Sequence, residues 1–329
     1  MSASSQLPRI PREQAMQFLI GSDLEPVLSV KPGDSFLVET EDALAGQIRA
    51  PERLPIPEHV PGLPASPPEL NPCAGPIHVQ GARKGDLLAV TIERIEVDEQ
   101  GVTCFVPGVG PLNDSFRWSG CRGPFTRILT HEPGPSGTTH DGRVVMSDRA
   151  SWNLEPFIGT IGTAPDRETE ATLVGQGAWG GNMDCRDIRE GNTLYLNCYH
   201  DGGLLFVGDV HGSQADTEFY GIADETRALV TLRCDVIPNK TIPSPRIDKP
   251  ESVVCLYSYR PLDDAVRTAM MHLFELMTSE YGVPPEEAYM HLCINPDVRI
   301  NVYQMIPVHR IQYTVGAEIA KRHLDAYIA

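Results

Sequence analysis

The sequence predicts a mainly β protein that ends in an α+β unit, and three observations carry that expectation. Proline and glycine each occur 29 times in 329 residues. Proline stands well above its usual share of about 5%, and it breaks helix interiors while punctuating loops and edge strands. Short β-branched or alternating runs recur between Gly, Pro, Asp and Asn up to about residue 250, whereas a sustained helical period is met only beyond it.

Taken in order, segments 35–39 (SFLVE), 86–95 (DLLAVTIERI), 193–196 and 228–232 read as strands. In LAVTIERIEV the alternation places Leu88, Val90 and Ile92 on one face and Ala89, Thr91 and Glu93 on the other, as in a half-buried strand. Segments 51–72 and 131–143 are rich in Pro, Gly and polar residues and read as long covering or functional loops. From Asp263 onward Val266, Met270, Leu273, Met277 and Tyr281 recur at helical spacing, with an Asp to cap the start and Gly282 to end it; this stripe reads as core. PPEEAYMHL predicts a second short helix opened by Pro, DVRINVYQMIPVHRIQYTV returns to strand, and GAEIAKRHLDAYI predicts a terminal helix.

Hydrophobic residues at 41% and charged residues at 22% are those of an ordinary globular protein. The net charge of −17, with no Lys/Arg cluster, argues against nucleic-acid binding and favours small neutral or cationic substrates. Eight cysteines lie far apart with no CxxC pair, which predicts a reduced, cytoplasmic thiol complement of buried or inert residues. The start MSASSQLPRIPREQ lacks the apolar stretch of a secretory signal. No run of about 18 apolar residues occurs, so no membrane association is expected.

The chemistry concentrates in LLFVGDVHGSQADTEF, residues 204–219. If LLFVGDVHG is extended, Asp209 and His211 project from one face. GSQA then turns the chain, and DTEFYGI is expected to continue as a second strand with Asp216 and Glu218 on a shared face. Such a bent unit suits Zn²⁺, Mn²⁺ or a similar cation. Upstream, GAWGGNMDCRD sets Asn182 and Asp184 two apart beside a Gly-Gly pair that permits close backbone approach. Asn182, Asp184, Asp209, His211, Asp216 and Glu218 therefore form the candidate site. The plainer reading is that acids and a His in a turn region are solvated turn residues. His200, His272, His291, His309 and His323 read as structural or surface residues, while His59, His78, His131 and His140 lie near loops that could line a pocket. Cys185, or Cys198 two residues before His200, offers a Cys–His alternative, and Ser213 beside His211 a hydroxyl one, without an orienting third residue. There is no GxSxG elbow, Walker loop, HExxH or dinucleotide fingerprint.

GGNMDCRDIREGNTLYL followed by GDVHGSQADTE resembles the acetamidase/formamidase family. The resemblance extends in order through VKPGDSFLVETEDALAGQI, NPCAGPIHVQGARKGDLLAVTIERI, EPFIGTIGTAP and EEAYMHLCINPDVRINV. It implies a metal-assisted hydrolase of formamide-like or acetamide-like compounds that releases ammonia, often oligomeric, with a jelly-roll-like sandwich, a barrel segment and a C-terminal α+β part. The family's Gly-Gly-Asn-Met-Asp block falls on 180–184, its Gly-Asp-x-His-x-x-Gln block on 208–214 and its terminal Glu on Glu218. On this reading Asp209, His211 and Asp216 hold a divalent metal, zinc in the first instance. Glu218 is the first choice for moving the proton and Asp184 the second, with Asn182 donating to the oxyanion. Ala215 and Thr217 stand where the family pattern has glycine, which is expected to reshape the pocket, and Asn295-Pro296 replaces expected small residues. The expected division is an N-terminal β-rich domain (1–150), a central barrel-like segment carrying the motifs (151–243) and the α+β unit (244–329). The rival readings are a lactam or larger-metabolite amide hydrolase on the same scaffold, and a small-molecule or metal-binding protein that does not turn its ligand over.

Overall fold

The computed structural model describes residues 7–66 and 68–328, so the first six residues of the N-terminal stretch read above lie outside the described part. The protein is mainly β, with the strands forming one extended, largely antiparallel sheet that curls on itself and a second sheet of two short strands. At its centre the long strand Leu87–Phe105 runs antiparallel to Glu225–Ile237, which on its other edge pairs with Ser35–Thr40. The alternation read from the sequence holds here. Leu88, Val90 and Ile92 are fully buried, and Phe36, Val38, Val230, Leu232 and Cys234 join them in the main core. Each large apolar side chain so buried contributes roughly 1.5–3 kcal/mol, which is what fixes the register of these strands.

Helix α1, Leu262–Ser279, packs on the strands Ser252–Tyr259 and Tyr313–Ala320 and forms with them a second core. Leu273 and Met277 of the expected stripe are buried. The contact line nevertheless runs through Ala265 and Ala269, because their small side chains let the helix approach the sheet, and Val266, Met270 and Tyr281 pack partly buried at its edge. Pro261 rather than an Asp precedes the first turn, where Asp263 and Asp264 favour the positive end of the helix dipole. Past the last turn Gly282 adopts φ +68°, and Val283 N–H returns to the Met277 carbonyl. Helix α2, Pro285–Ile294, opens on proline as expected.

The terminal segment departs from its expectation. Residues of GAEIA are not helical but complete the strand Tyr313–Ala320, paired on one side with Ser252–Tyr259 and on the other with Arg299–Gln304. Two neighbours that satisfy its backbone override a modest local helix preference. Among the described residues Lys321–His323 and Asp325–Ile328 turn helically after it. Among the described residues no helix is long and apolar enough to cross a membrane.

Candidate active site

The site is built on three adjacent strands. Phe157–Thr163 lies between Leu205–His211, where Phe157 faces His211 and Thr160 faces Gly208, and Gly180–Asn182, where Thr160 faces Asn182. All three strands are buried along their whole length, so their sequences are apolar and small rather than cleanly alternating. Gly159 makes the proximity of two acids possible. A Cβ at that position would sit 2.7 Å from Asp184 Oδ1 and 2.9 Å from Asp209 Oδ2. Asp184, Asp209 and Glu218 all adopt positive φ, at 44°, 56° and 46°. For residues other than glycine this is a strained backbone of the sort concentrated at functional sites.

Above these strands lies a chamber of about 50 Å³ walled by Asp184, Asp209, His211, Glu218 and Glu225. Asn71, Asn182 and Gln304 add polar groups, and Leu44, Leu70, Leu173, Ile306 and Ile311 close it with apolar surface. Asp209 Oδ2 accepts from Asn71 Nδ2 at 2.7 Å and lies 3.0 Å from the Thr160 hydroxyl, which is also 2.9 Å from Asn182 Oδ1. Asn182 Nδ2 donates to the Leu173 carbonyl, and Gln304 Nε2 donates to Asp184 Oδ2. His211 Nδ1 lies 3.0 Å from Gln214 Oε1, whose own amide donates to the Asp184 and Tyr303 carbonyls. Gln214 is thereby oriented as an acceptor, which places the Nδ1 proton on His211 and turns Nε2 towards the acids.

Nε2 stands 3.4 Å from Asp209 Oδ1 and 3.2 Å from Glu225 Oε2; with the proton on Nδ1 the neutral ring offers these oxygens no N–H, and the charged ring offers one N–H for the two. Asp184 Oδ1, Asp209 Oδ1 and Glu225 Oε2 are buried without a hydrogen-bond partner. Burial, then the charge of Asp209, pushes Asp184 up to about 7. Burial and the Asp184 charge push Glu218 well above the ordinary Glu value, and burial also raises Glu225. Burial alone would lower His211, but the charges of Glu225 and Asp209 outweigh it and hold the imidazole well above its usual value.

The chemistry of this donor set fits a cation. Four buried carboxyl groups share the chamber with one imidazole, and no Lys or Arg lines it among the described residues. Uncompensated buried charge of that kind is costly. One oxygen each of Asp184 and Asp209 and a ring nitrogen of His211 lie within 4.8 Å of one another, a mixed N/O set suited to Zn²⁺ or a similar ion.

Of the six residues singled out by spacing, the structure brings together Asn182, Asp184, Asp209, His211 and Glu218. It does not bring Asp216 there. The expected second strand DTEFYGI is instead a single helical turn, Asp216–Glu218, in which Thr217 and Glu218 are left-handed. The two acids therefore diverge: Glu218 points inward, while Asp216 is exposed and paired with Arg186. Asp184, read as a proton carrier, takes the place beside Asp209 and His211 that had been given to Asp216.

Spacing missed Glu225, Asn71, Thr160 and Gln304. Glu225 reaches the site because it pairs with His211 across strands, and the only trace of it in the sequence is an acidic run before an apolar strand. Asn71 arrives at the end of the long 51–72 loop. His131, one of the four loop histidines, is buried against Asp224 behind the site, and His59, His78 and His140 do not line it. The Cys185 thiol is fully buried and pushed well above its usual pKa by burial, the wrong state for a nucleophile.

A sequence profile of the Acetamidase/Formamidase family matches residues 12–176 and 166–317. An acetamidase from Mycolicibacterium smegmatis is 25% identical over 356 aligned residues, spanning 83% of this chain and 84% of its own. The crystal structure of an acetamidase from Yersinia enterocolitica superposes with a TM-score of 0.84 at 31% identity, covering 98% of this chain and 94% of that one. An acetamidase structure from Bacillus halodurans gives the same TM-score at 28% identity over 98% and 100% of the two chains. With motif order, matched length and architecture in agreement, the chain belongs to the acetamidase/formamidase family.

Proposed function

We propose that the chain hydrolyses short carboxylic amides to the acid and ammonia in the Glu218 chamber, with a divalent cation held by Asp184, Asp209 and His211. The observation that carries this reading is the set of three buried carboxylate oxygens without a hydrogen bond gathered around His211, in a chamber that no Lys or Arg lines among the described residues. A cation bound there supplies Lewis acidity for the amide carbonyl and makes water acidic enough to attack near neutral pH. Glu218, held in its left-handed turn at the chamber edge, accepts the proton of the attacking water and passes it to the departing nitrogen. Burial and the Asp184 charge push its pKa up, which favours a carboxyl group that holds the proton between taking it from water and giving it to nitrogen. Asn182, oriented by Thr160 and the Leu173 carbonyl, is the wall amide assigned to the developing oxyanion. A cavity of about 50 Å³ holds roughly four water-sized groups at 10–15 Å³ each, the size of formamide or acetamide.

The test is elemental analysis of the purified protein together with ammonia release from formamide and acetamide. Glu218→Gln is expected to keep the cation and the fold while turnover falls by about 10²–10⁴-fold. Full turnover by that variant with metal bound overturns the role given to Glu218.

A further inference from the structure

Outside the chamber lies a groove of about 650 Å³ that shares Glu218 and Ile222 with it as wall residues. Leu129, Met146, Trp152, Phe219 and Tyr220 give it an apolar and aromatic side, and polar residues that include Glu155 and Arg186 line the rest. Met146, Trp152 and Phe219 are 39%, 40% and 56% exposed, a large apolar commitment beside a site sized for a molecule of three or four heavy atoms. Two of the rings are held in place: Trp152 Nε1 donates to Ser213 Oγ at 2.8 Å, and the Tyr220 hydroxyl lies 2.5 Å from Thr103 Oγ1. The groove is of the volume that takes a substituent of drug-like size, and its fixed aromatic faces suit a ring.

We propose that the groove binds the amine portion of N-substituted formamides or acetamides, secondary amides of an aromatic or arylalkyl amine, while the chamber holds the short acyl group. The inference rests on the amide-hydrolase reading, since Glu218 delivers its proton to the departing nitrogen and, with Ile222, lines both cavities. The nitrogen then sits at the chamber edge, and any substituent on it extends into the groove. Water adds its oxygen to the acyl carbon, the C–N bond breaks, and one water proton passes through Glu218 to the nitrogen while the other stays on the new carboxyl group, giving the free amine and formic or acetic acid, which loses that proton to solvent as it ionises. No oxidant or second substrate is required.

The experiment compares formamide, N-benzylformamide, formanilide and phenylacetamide on the metal-loaded enzyme, read as formate or amine release. N-benzylformamide or formanilide is expected to exceed formamide in kcat/KM by tenfold or more, with phenylacetamide a poor substrate. Met146→Ala, and separately Met146→Trp to narrow the groove, should each lower the ratio of N-aryl to formamide kcat/KM by about tenfold. Turnover of formamide without turnover of either N-substituted formamide overturns the inference while leaving the short-amide reading standing. Preference for phenylacetamide over N-benzylformamide also overturns it, because the groove would then hold the acyl side. No turnover of any amide by the metal-loaded enzyme overturns the underlying reading and this inference with it.

Discussion

Gly159 lies against the side chains of Asp184 and Asp209, where a Cβ would come within 3 Å of an oxygen of each. Gly159→Ala must push the two carboxylates apart, and a displaced supporting group typically costs a metal site 10–100-fold in affinity. We expect that loss in a metal titration, with ammonia release falling alongside it; wild-type affinity in a folded variant would contradict the account. The two positions where the family pattern has glycine behave differently. Thr217 has φ +73°, a β-branched residue in the left-handed region, whereas Ala215 has an ordinary φ of −81°. Thr217→Gly should therefore stabilise the protein by about 1 kcal/mol, and Ala215→Gly should destabilise it by roughly 0.5–1 kcal/mol, both readable from denaturant midpoints. Asp209 and His211 were legible because their spacing of two inside a strand pattern singled them out, although Asp209 itself is left-handed and leaves the regular alternation. Glu225 was not, since its place depends on which strand pairs with His211.

Among the elements, the C-terminal strands are tied by Glu318, which accepts from Lys249 at 2.9 Å, Ser252 at 2.5 Å and Asn301 at 2.8 Å. Burial alone would raise its pKa, but these three donors together hold it below the ordinary Glu value of 4.5. A carboxylate lowered in the folded state contributes stability that is complete above the unfolded value and is lost as pH falls through the folded one. Glu318→Gln should thus cost about 1–3 kcal/mol at pH 7, and the gap to wild type should close on acidification below the ordinary Glu range, measured by urea unfolding at each pH. A gap that persists unchanged at low pH would assign the loss to packing. On α1, Leu273 is fully buried in the second core, and Leu273→Ala should cost about 2–5 kcal/mol in the same assay. The helix itself was readable from its period, but its contact line was not, because Ala265 and Ala269 carry little periodic signal and are buried through close approach to the sheet. GAEIA misled for the related reason that strand pairing on both sides outweighs local preference.

Over the whole molecule, the proposed cation joins the Leu205–His211 strand to Asp184, just beyond Gly180–Asn182, and so couples binding to the integrity of the curled sheet. A ligand that binds only the folded state at a hundredfold over its Kd adds about 2.7 kcal/mol. Chelation should accordingly lower Tm by several degrees and abolish amide hydrolysis, with both restored on adding back Zn²⁺ or Mn²⁺; unchanged Tm and activity after complete chelation would exclude a bound ion. By itself the sequence determined the mainly β class, the two helices between residues 262 and 294, and the paired Asp209 and His211, because strand and helix periods and the punctuation by Pro and Gly are local properties of the chain. Only the tertiary structure decided that Asp216 turns out to Arg186 while Glu218 turns in, and that Glu225, Asn71 and Gln304 meet them. Left-handed turns, cross-strand register and the reach of a long loop are settled by packing partners remote in sequence, and no local spacing encodes them.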